Sequence, residues 1–298
     1  QTIVSYSFSH CTSLSGTLTI PASVTKLSSH SFEYCSNFSN LALNGQLQII
    51  NEYSFSHCTG LTGTLTIPDS VTQIGASSFE YCENLTFLSL GKSVKTVGKS
   101  SFSHCFSLNG LLTIPETVTD IGTNSFELCS GLTSVTFQNS KIDIIRWGAF
   151  SRCSGLKGEL EIPDTATEIG SYAFELCTSL TSVKIGKKVN FIGSSCFVGC
   201  SGIEGKLTIP KTVRTISSKS FQSCTKLTTV EFEQEQQEEE VMSESDSLVL
   251  LSVNSNAFEF CSSLISVTFC ERLNYIGSNA FTNCSCLFGS LSIPDRVY

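Results

Sequence analysis

The chain has 298 residues, of which 40% are apolar and only 15% charged, enough apolar material for a continuous core and too little charge for a disordered polymer. Its formal charge of −8 argues against a nucleic-acid partner, since a phosphate backbone is bound by clustered Lys and Arg, and no run of about 18 apolar residues offers a transmembrane segment. Eight acidic and no basic residues lie between Glu231 and Asp246, which leaves the rest of the chain balanced at 18 acidic against 18 basic residues. Gln1 opens the chain without a Met or an apolar leader, which reads as a mature or partial segment.

From the N-terminus onward a Phe-x-x-Cys unit recurs at Phe8/Cys11, Phe32/Cys35, Phe55/Cys58, Phe79/Cys82, Phe102/Cys105 and Phe126/Cys129. It continues at Phe150/Cys153, Phe174/Cys177, Phe197/Cys200, Phe221/Cys224, Phe258/Cys261 and Phe281/Cys284. Successive copies are 23 or 24 residues apart, except that 37 residues separate Cys224 from Cys261. One turn after Cys58 presents Leu61, Leu65, Ile67, Val71, Ile74 and Phe79, and the next repeats the pattern as Leu85, Leu88, Leu90, Val94, Val97 and Phe102. The alternation in Leu65-Thr66-Ile67 and Leu88-Ser89-Leu90 predicts a short strand with one buried and one wet face, and stacking pairs these strands into a parallel sheet. Phe and Cys three residues apart, preceded by Ser, Asn or Thr, predict a short helix or 3₁₀ turn.

Two kinds of turn alternate. In the first, Gly16, Gly63, Gly110, Gly158, Gly205 and Gly289 precede the strand, and the six prolines of the chain, Pro21, Pro68, Pro115, Pro163, Pro210 and Pro294, follow it. Proline has no N–H for a ladder, so it ends the strand at a fixed place. The long interval after Cys224 holds a low-complexity acidic segment, at about 233–247, which predicts a loop. Two histories fit it: a Gly/Pro turn replaced by this segment, or an insertion into an ordinary turn. Leu250, Val253 and Phe258 are expected to re-enter the core.

A fixed period of about 20–29 residues is that of leucine-rich repeats. The expectation is therefore an α/β solenoid over residues 1–298 with about 12 turns: a right-handed horseshoe with a parallel concave β-sheet and helical or 3₁₀ segments on the convex side. Units such as Leu108…Leu112-x-Ile114-Pro115-x-x-Val118-x-x-Ile121-Gly122-x-x-x-Phe126-x-x-Cys129 resemble the BspA-like, treponemal-type class of leucine-rich repeats. The resemblance covers everything but the acidic segment. It implies a surface protein of the kind that adheres to host cells and to matrix proteins such as fibronectin. Gln1 and Tyr298 fall inside turns without a polar cap, so further chain or a partner is expected to cover the coil ends.

Twelve of the 15 cysteines hold one repeated position and read as a column of buried free thiols, because rungs about 4.8 Å apart miss the Cβ separation of about 3.8 Å that a disulfide needs. Cys196, Cys270 and Cys286 fall outside that register. His10, His57 and His104 recur on every second turn, about 10 Å apart, too far to share a zinc ion, and read as polar residues on the outer side of the helical piece. With His30 they are the only histidines. No Gly-rich phosphate loop, metal spacing or nucleophile elbow accompanies them, so the sequence offers no cofactor and no catalytic constellation.

The wet face of the sheet is the candidate binding surface. It presents Thr17, Thr19, Thr64, Thr66, Thr113, Thr136, Glu159, Glu161, Lys184, Lys206, Thr208 and Thr268, although Thr is also simply a good strand former. Asn37 and Asn84, in equivalent bends before a strand, match the N-glycosylation acceptor pattern. The function expected is a non-enzymatic, cell-surface or secreted protein-binding module, its partner an extracellular-matrix or host-cell surface protein. An intracellular scaffold is the alternative, favoured by a thiol column suited to a reducing compartment.

Overall fold

The computed structural model describes residues 1–298 apart from residues 45, 138 and 235–249. Among the described residues, short strands from Thr2–Ile3 through Lys26–Leu27 to Leu273–Ile276 lie side by side in chain order as one 12-stranded parallel sheet. Each turn contributes one such strand, with residues such as Ile74, Val97 and Ile121 pointing into a fully buried interior. Directly beyond this strand, where several turns carry a glycine, the stacked backbones approach closely. A Cβ built on Gly98 would stand 2.5 Å from the carbonyl carbon of Gly75 one turn away.

The longer strands behave differently from expectation. Gly16–Ile20 pairs with Phe38–Leu43, Gly63–Thr66 with Leu85–Ser89, Gly110–Thr113 with Leu132–Thr136, and Gly158–Glu161 with Leu180–Lys184, each as a separate parallel pair. In every pair the register slips by one residue directly after a glycine of positive φ, for example Gly63 at 71° and Gly110 at 79°. The uninterrupted sheet is thus built by strands of two to four residues, and the longer strands form beside it four pairs and one group of three, Glu204–Ile209, Lys226–Phe232 and Ser266–Thr268.

No helix occurs among the described residues, so the helical or 3₁₀ segments expected around Phe-x-x-Cys are corrected to paired tight turns. The physical reason lies in the backbone. The residue before each column cysteine has positive φ, as at His10, Tyr34, His57, Tyr81, His104, Leu128 and Arg152, and so does the residue two before each Phe, as at Tyr53, Ser77, Ser100 and Asn124. A left-handed residue at every fourth position breaks a right-handed helix. Alternate N–H groups donate outward to the next turn instead: Phe55 to Ser78 O at 2.8 Å and His57 to Glu80 O at 2.8 Å.

This geometry gives Phe and Cys a joint task. All twelve Phe rings form one stack with centroid spacings of 5.1–5.6 Å, within the range of offset aromatic pairs. The carbonyl of each Phe accepts the N–H of its own cysteine, as from Cys129 to Phe126 at 3.2 Å. It also accepts the thiol of the next turn's cysteine: Cys129 Sγ donates to Phe102 O at 3.1 Å and Cys153 Sγ to Phe126 O at 3.0 Å. The thiol column is therefore a hydrogen-bonded rail rather than a row of small hydrophobes alone. All 15 cysteines are free thiols. Cys196 is buried in the Ser/Ala position that precedes each Phe, Cys270 is buried, and Cys286 is exposed.

The stack crosses the acidic interval without a break. Phe221 and Phe258 rings are 5.2 Å apart, Cys261 Sγ donates to Phe221 O at 3.3 Å, and Ile216 pairs with Val253. Lys226–Phe232 pairs directly with Ser266–Thr268, so two proline-free turns are direct neighbours. The expected loop at 233–247 lies outside the described residues from 235 on; Glu233 takes the Lys211 N–H at 3.1 Å, and Gln234 donates to Phe269 O at 2.9 Å. Leu250 is exposed rather than in the core. The inward positions of Leu251-Ser252-Val253 are 251 and 253, which turns residue 250 outward.

Two outcomes test this packing. Phe126→Ala should destabilise the chain by about 3–5 kcal/mol in denaturant melts, as for other fully buried aromatics, and a loss under about 1 kcal/mol would contradict its place in the stack. Burial pushes the thiols up, Cys200 and Cys261 to about 12 and Cys284 to about 11. A thiol-selective reagent should therefore label exposed Cys286 first and half-buried Cys11 more slowly, with the other 13 reacting only on unfolding. Mass spectrometry of the native chain showing rapid labelling of Cys129 would refute the rail.

Candidate functional site

Outward residues of the longer strands fall into two columns, set by the register. Thr17, Thr64, Glu159 and Lys206 stand in one, beside Asn40, Phe87, Ser182 and Thr229 respectively. Thr19, Thr66, Thr113, Thr136, Glu161, Lys184, Thr208 and Thr268 stand in the other. All twelve residues proposed from the sequence share this face, and all are exposed or half-buried. Leu18, Leu65, Leu112, Leu160 and Leu207 between them point inward and anchor it.

Charges in the middle turns largely satisfy one another. Lys184 pairs with Glu161 across the strand pair, and Lys206 pairs with Glu231 on the next turn. The hydrogen bond and charge of Glu161 raise the Lys184 ammonium above its ordinary value, and Asp164 and Glu159 add to the effect. These are solvent-exposed pairs of small energetic worth, so their main effect is on which charges remain open.

Two exposed apolar residues on the same face were not foreseen. Phe87 is 49% and Leu111 57% exposed, and both occupy the first outward column, where the equivalent residues of other turns are Thr17, Thr64, Glu159 and Lys206 or Asn40, Ser134 and Ser182. Comparing turns position by position, rather than reading Leu and Phe as core, is the signal that finds them. Beside Leu111 an open depression of about 820 Å³ is lined by Ser134, Thr136, Asn139, Ser140, Glu159, Glu161 and Asp164. Three carboxylates and no cation line it.

The histidines stand on another side, in two aromatic ladders. His10, Tyr34, His57, Tyr81 and His104 stack with centroids 4.2–4.6 Å apart, and Tyr6, His30 and Tyr53 form a second run at 4.5 and 4.7 Å. His10, His57 and His104 each meet the hydroxyl of the preceding serine, as in the 2.9 Å contact of Ser56 Oγ with His57 Nδ1, whereas His30 Nδ1 lies 2.8 Å from Glu33 Oε2. Among the described residues no group of three His, Cys, Asp or Glu side chains is placed to hold a metal ion. Asn37 and Asn84 are exposed at the start of their strands, and each amide donates to the preceding turn, to Thr12 O at 2.6 Å and Thr59 O at 2.8 Å.

A parallel coil whose turns each carry a strand, a bend and a Phe-x-x-Cys corner is a leucine-rich-repeat solenoid. The chain belongs to the BspA-type leucine-rich repeat family, whose model matches residues 1–109, 62–159, 145–248 and 249–298. A leucine-rich repeat protein from Bacteroides ovatus is similar in structure, with a TM-score of 0.62 and 25% identity over 96% of this chain and 80% of that one. A leucine-rich cell surface protein from Faecalibacterium prausnitzii shares the fold with a TM-score of 0.54 and 23% identity over 97% and 82% of the two chains. The pneumococcal vaccine antigen PcpA does so at 0.57 and 20% over 94% and 72%. No curated protein matches the chain in sequence.

The ladder supplies a pH test. Burial lowers His57 below its ordinary value of 6.5, outweighing the opposite pull of Glu80, Glu33 and Glu83. A base depressed in the folded state binds its proton more readily when unfolded, so stability is full above about pH 6.5 and falls as pH drops through the window below it. His57→Phe, which installs the residue that Phe260 provides at the same position with φ of 59°, should flatten the pH dependence of the melting midpoint below 6.5. An unchanged profile in that variant would show that His57 does not carry the effect.

Proposed function

We propose that this chain is a non-enzymatic binding module, displayed at a cell surface or secreted, that recognises extracellular-matrix or host-cell proteins through its long-strand face. The observation that carries the reading is the pair Phe87 and Leu111, exposed on an otherwise polar face whose other turns hold Thr, Ser, Asn or charged residues at the same position. Large apolar side chains held outward on a rigid scaffold are what a protein partner buries at low entropic cost. Repeat solenoids offer such extended surfaces as a matter of architecture. Adhesion and surface location follow the family resemblance rather than any single residue.

An intracellular scaffold using the same face is the second reading, favoured by 15 free thiols in one chain. The two share a surface and differ in partner.

A pull-down of matrix and host-surface proteins should capture a partner with the native chain and lose it when Glu159, Glu161, Lys184 and Lys206 are reversed in charge. Capture of the same partner by the reversed chain would move the site off this face. Capture of only cytosolic proteins from a parallel cell extract would favour the scaffold.

A further inference from the structure

Resting on the reading above, we propose that Phe87, Leu111 and Glu159 form one subsite for an extended peptide segment that carries apolar side chains followed by a basic one. The three residues stand in a single outward column, with only Ser134 between Leu111 and Glu159. The ring of Phe87 leans over the next turn: a Cβ built on Gly110 would lie 3.5 Å from its Cε1, so its apolar surface continues into that of Leu111. Two rungs on, about 10 Å along the column at about 4.8 Å per turn, lies Glu159. That span matches about three residues of extended chain at about 3.3 Å each.

Charge selects the occupant. Glu161 is engaged by Lys184, whereas Glu159 and Asp164 line the depression beside Leu111; both also border the next depression, where Lys184, Lys187 and Lys206 stand, so the acidic side is the one toward Leu111. An Arg or Lys on the peptide completes this set, and an Asp or Glu is repelled. Partners of the face therefore need a linear apolar-then-basic stretch, not merely a complementary surface.

The test uses the full chain and three fluorescein-labelled 12-residue peptides in a Gly/Ser background: one with two Leu followed by two Arg about three residues on, one with Glu for Arg, and one with Ser for Leu. Fluorescence anisotropy should show binding of the Leu/Arg peptide, weakened about tenfold or more in each control and by added salt. Phe87→Ser and Leu111→Thr install residues that neighbouring turns already carry at this position, so the coil should melt as before while affinity falls about tenfold. Glu159→Gln should weaken binding and remove most of its salt dependence. No binding of the Leu/Arg peptide, equal binding of the Glu peptide, or unchanged affinity in Leu111→Thr overturns the subsite. If Phe87→Ser melts early, Leu111→Thr and Glu159→Gln decide. The broader reading fails separately: a peptide bound as described by a chain that captures no matrix or host-surface protein keeps the subsite and rejects the adhesive role. Matrix capture that survives Leu111→Thr and Phe87→Ser does the reverse.

Discussion

Each turn of the coil is fastened to the one before it at a Phe carbonyl. That oxygen closes its own corner by accepting the cysteine N–H three residues on, and it receives the thiol of the following turn, while the ring beneath it stacks on its neighbours at about 5 Å. Both groups are fully buried in the central turns. Replacing the cysteine by an apolar residue of similar size would keep the packing and the N–H bond and strip only the second, thiol bond from the carbonyl. The joint also explains how the coil absorbs the long interval. Phe221 and Phe258 meet as any other pair does, although 37 residues separate them.

Because the corners and the short strands hold the stack, the longer strands are free to vary. They bond in four pairs and one group of three, interrupted between groups, and their outward columns pass from Thr-rich through apolar to charged over a few turns. A rigid support with a changeable outer face is the physical basis of recognition by repeat proteins. On this chain the change is local: Phe87 and Leu111 sit on adjacent turns, and the carboxylate of Glu159 lies two turns further on. The aromatic ladders of His and Tyr occupy another side and bear on stability through His57.

Much of this was legible in the sequence. The period, the inward positions, the role of proline and the common face of all twelve candidate residues follow from spacing and from the alternation of apolar and polar residues. The corner was misread because i, i+3 spacing fits a helix and a pair of tight turns equally well. What separates them is positive φ at residues such as His57, Tyr81, Leu128 and Arg152, types that rarely adopt it and that are held there by bonds to the next turn. The thiol donors were hidden for the same reason, since their acceptors lie 26 or 27 residues away. Leu250 shows the opposite error: an apolar residue was assumed to face inward, when its place in the strand decided its direction.

The central claim is that one turn adds one rung along a single stack. Spin labels placed by a genetically encoded amino acid at Thr66 and Thr208, outward positions six rungs apart, test it by double electron–electron resonance. Six rungs at about 4.8 Å predict one narrow distribution centred at about 25–30 Å. A broad distribution, or a mean below about 15 Å, would show that the turns do not stack as described.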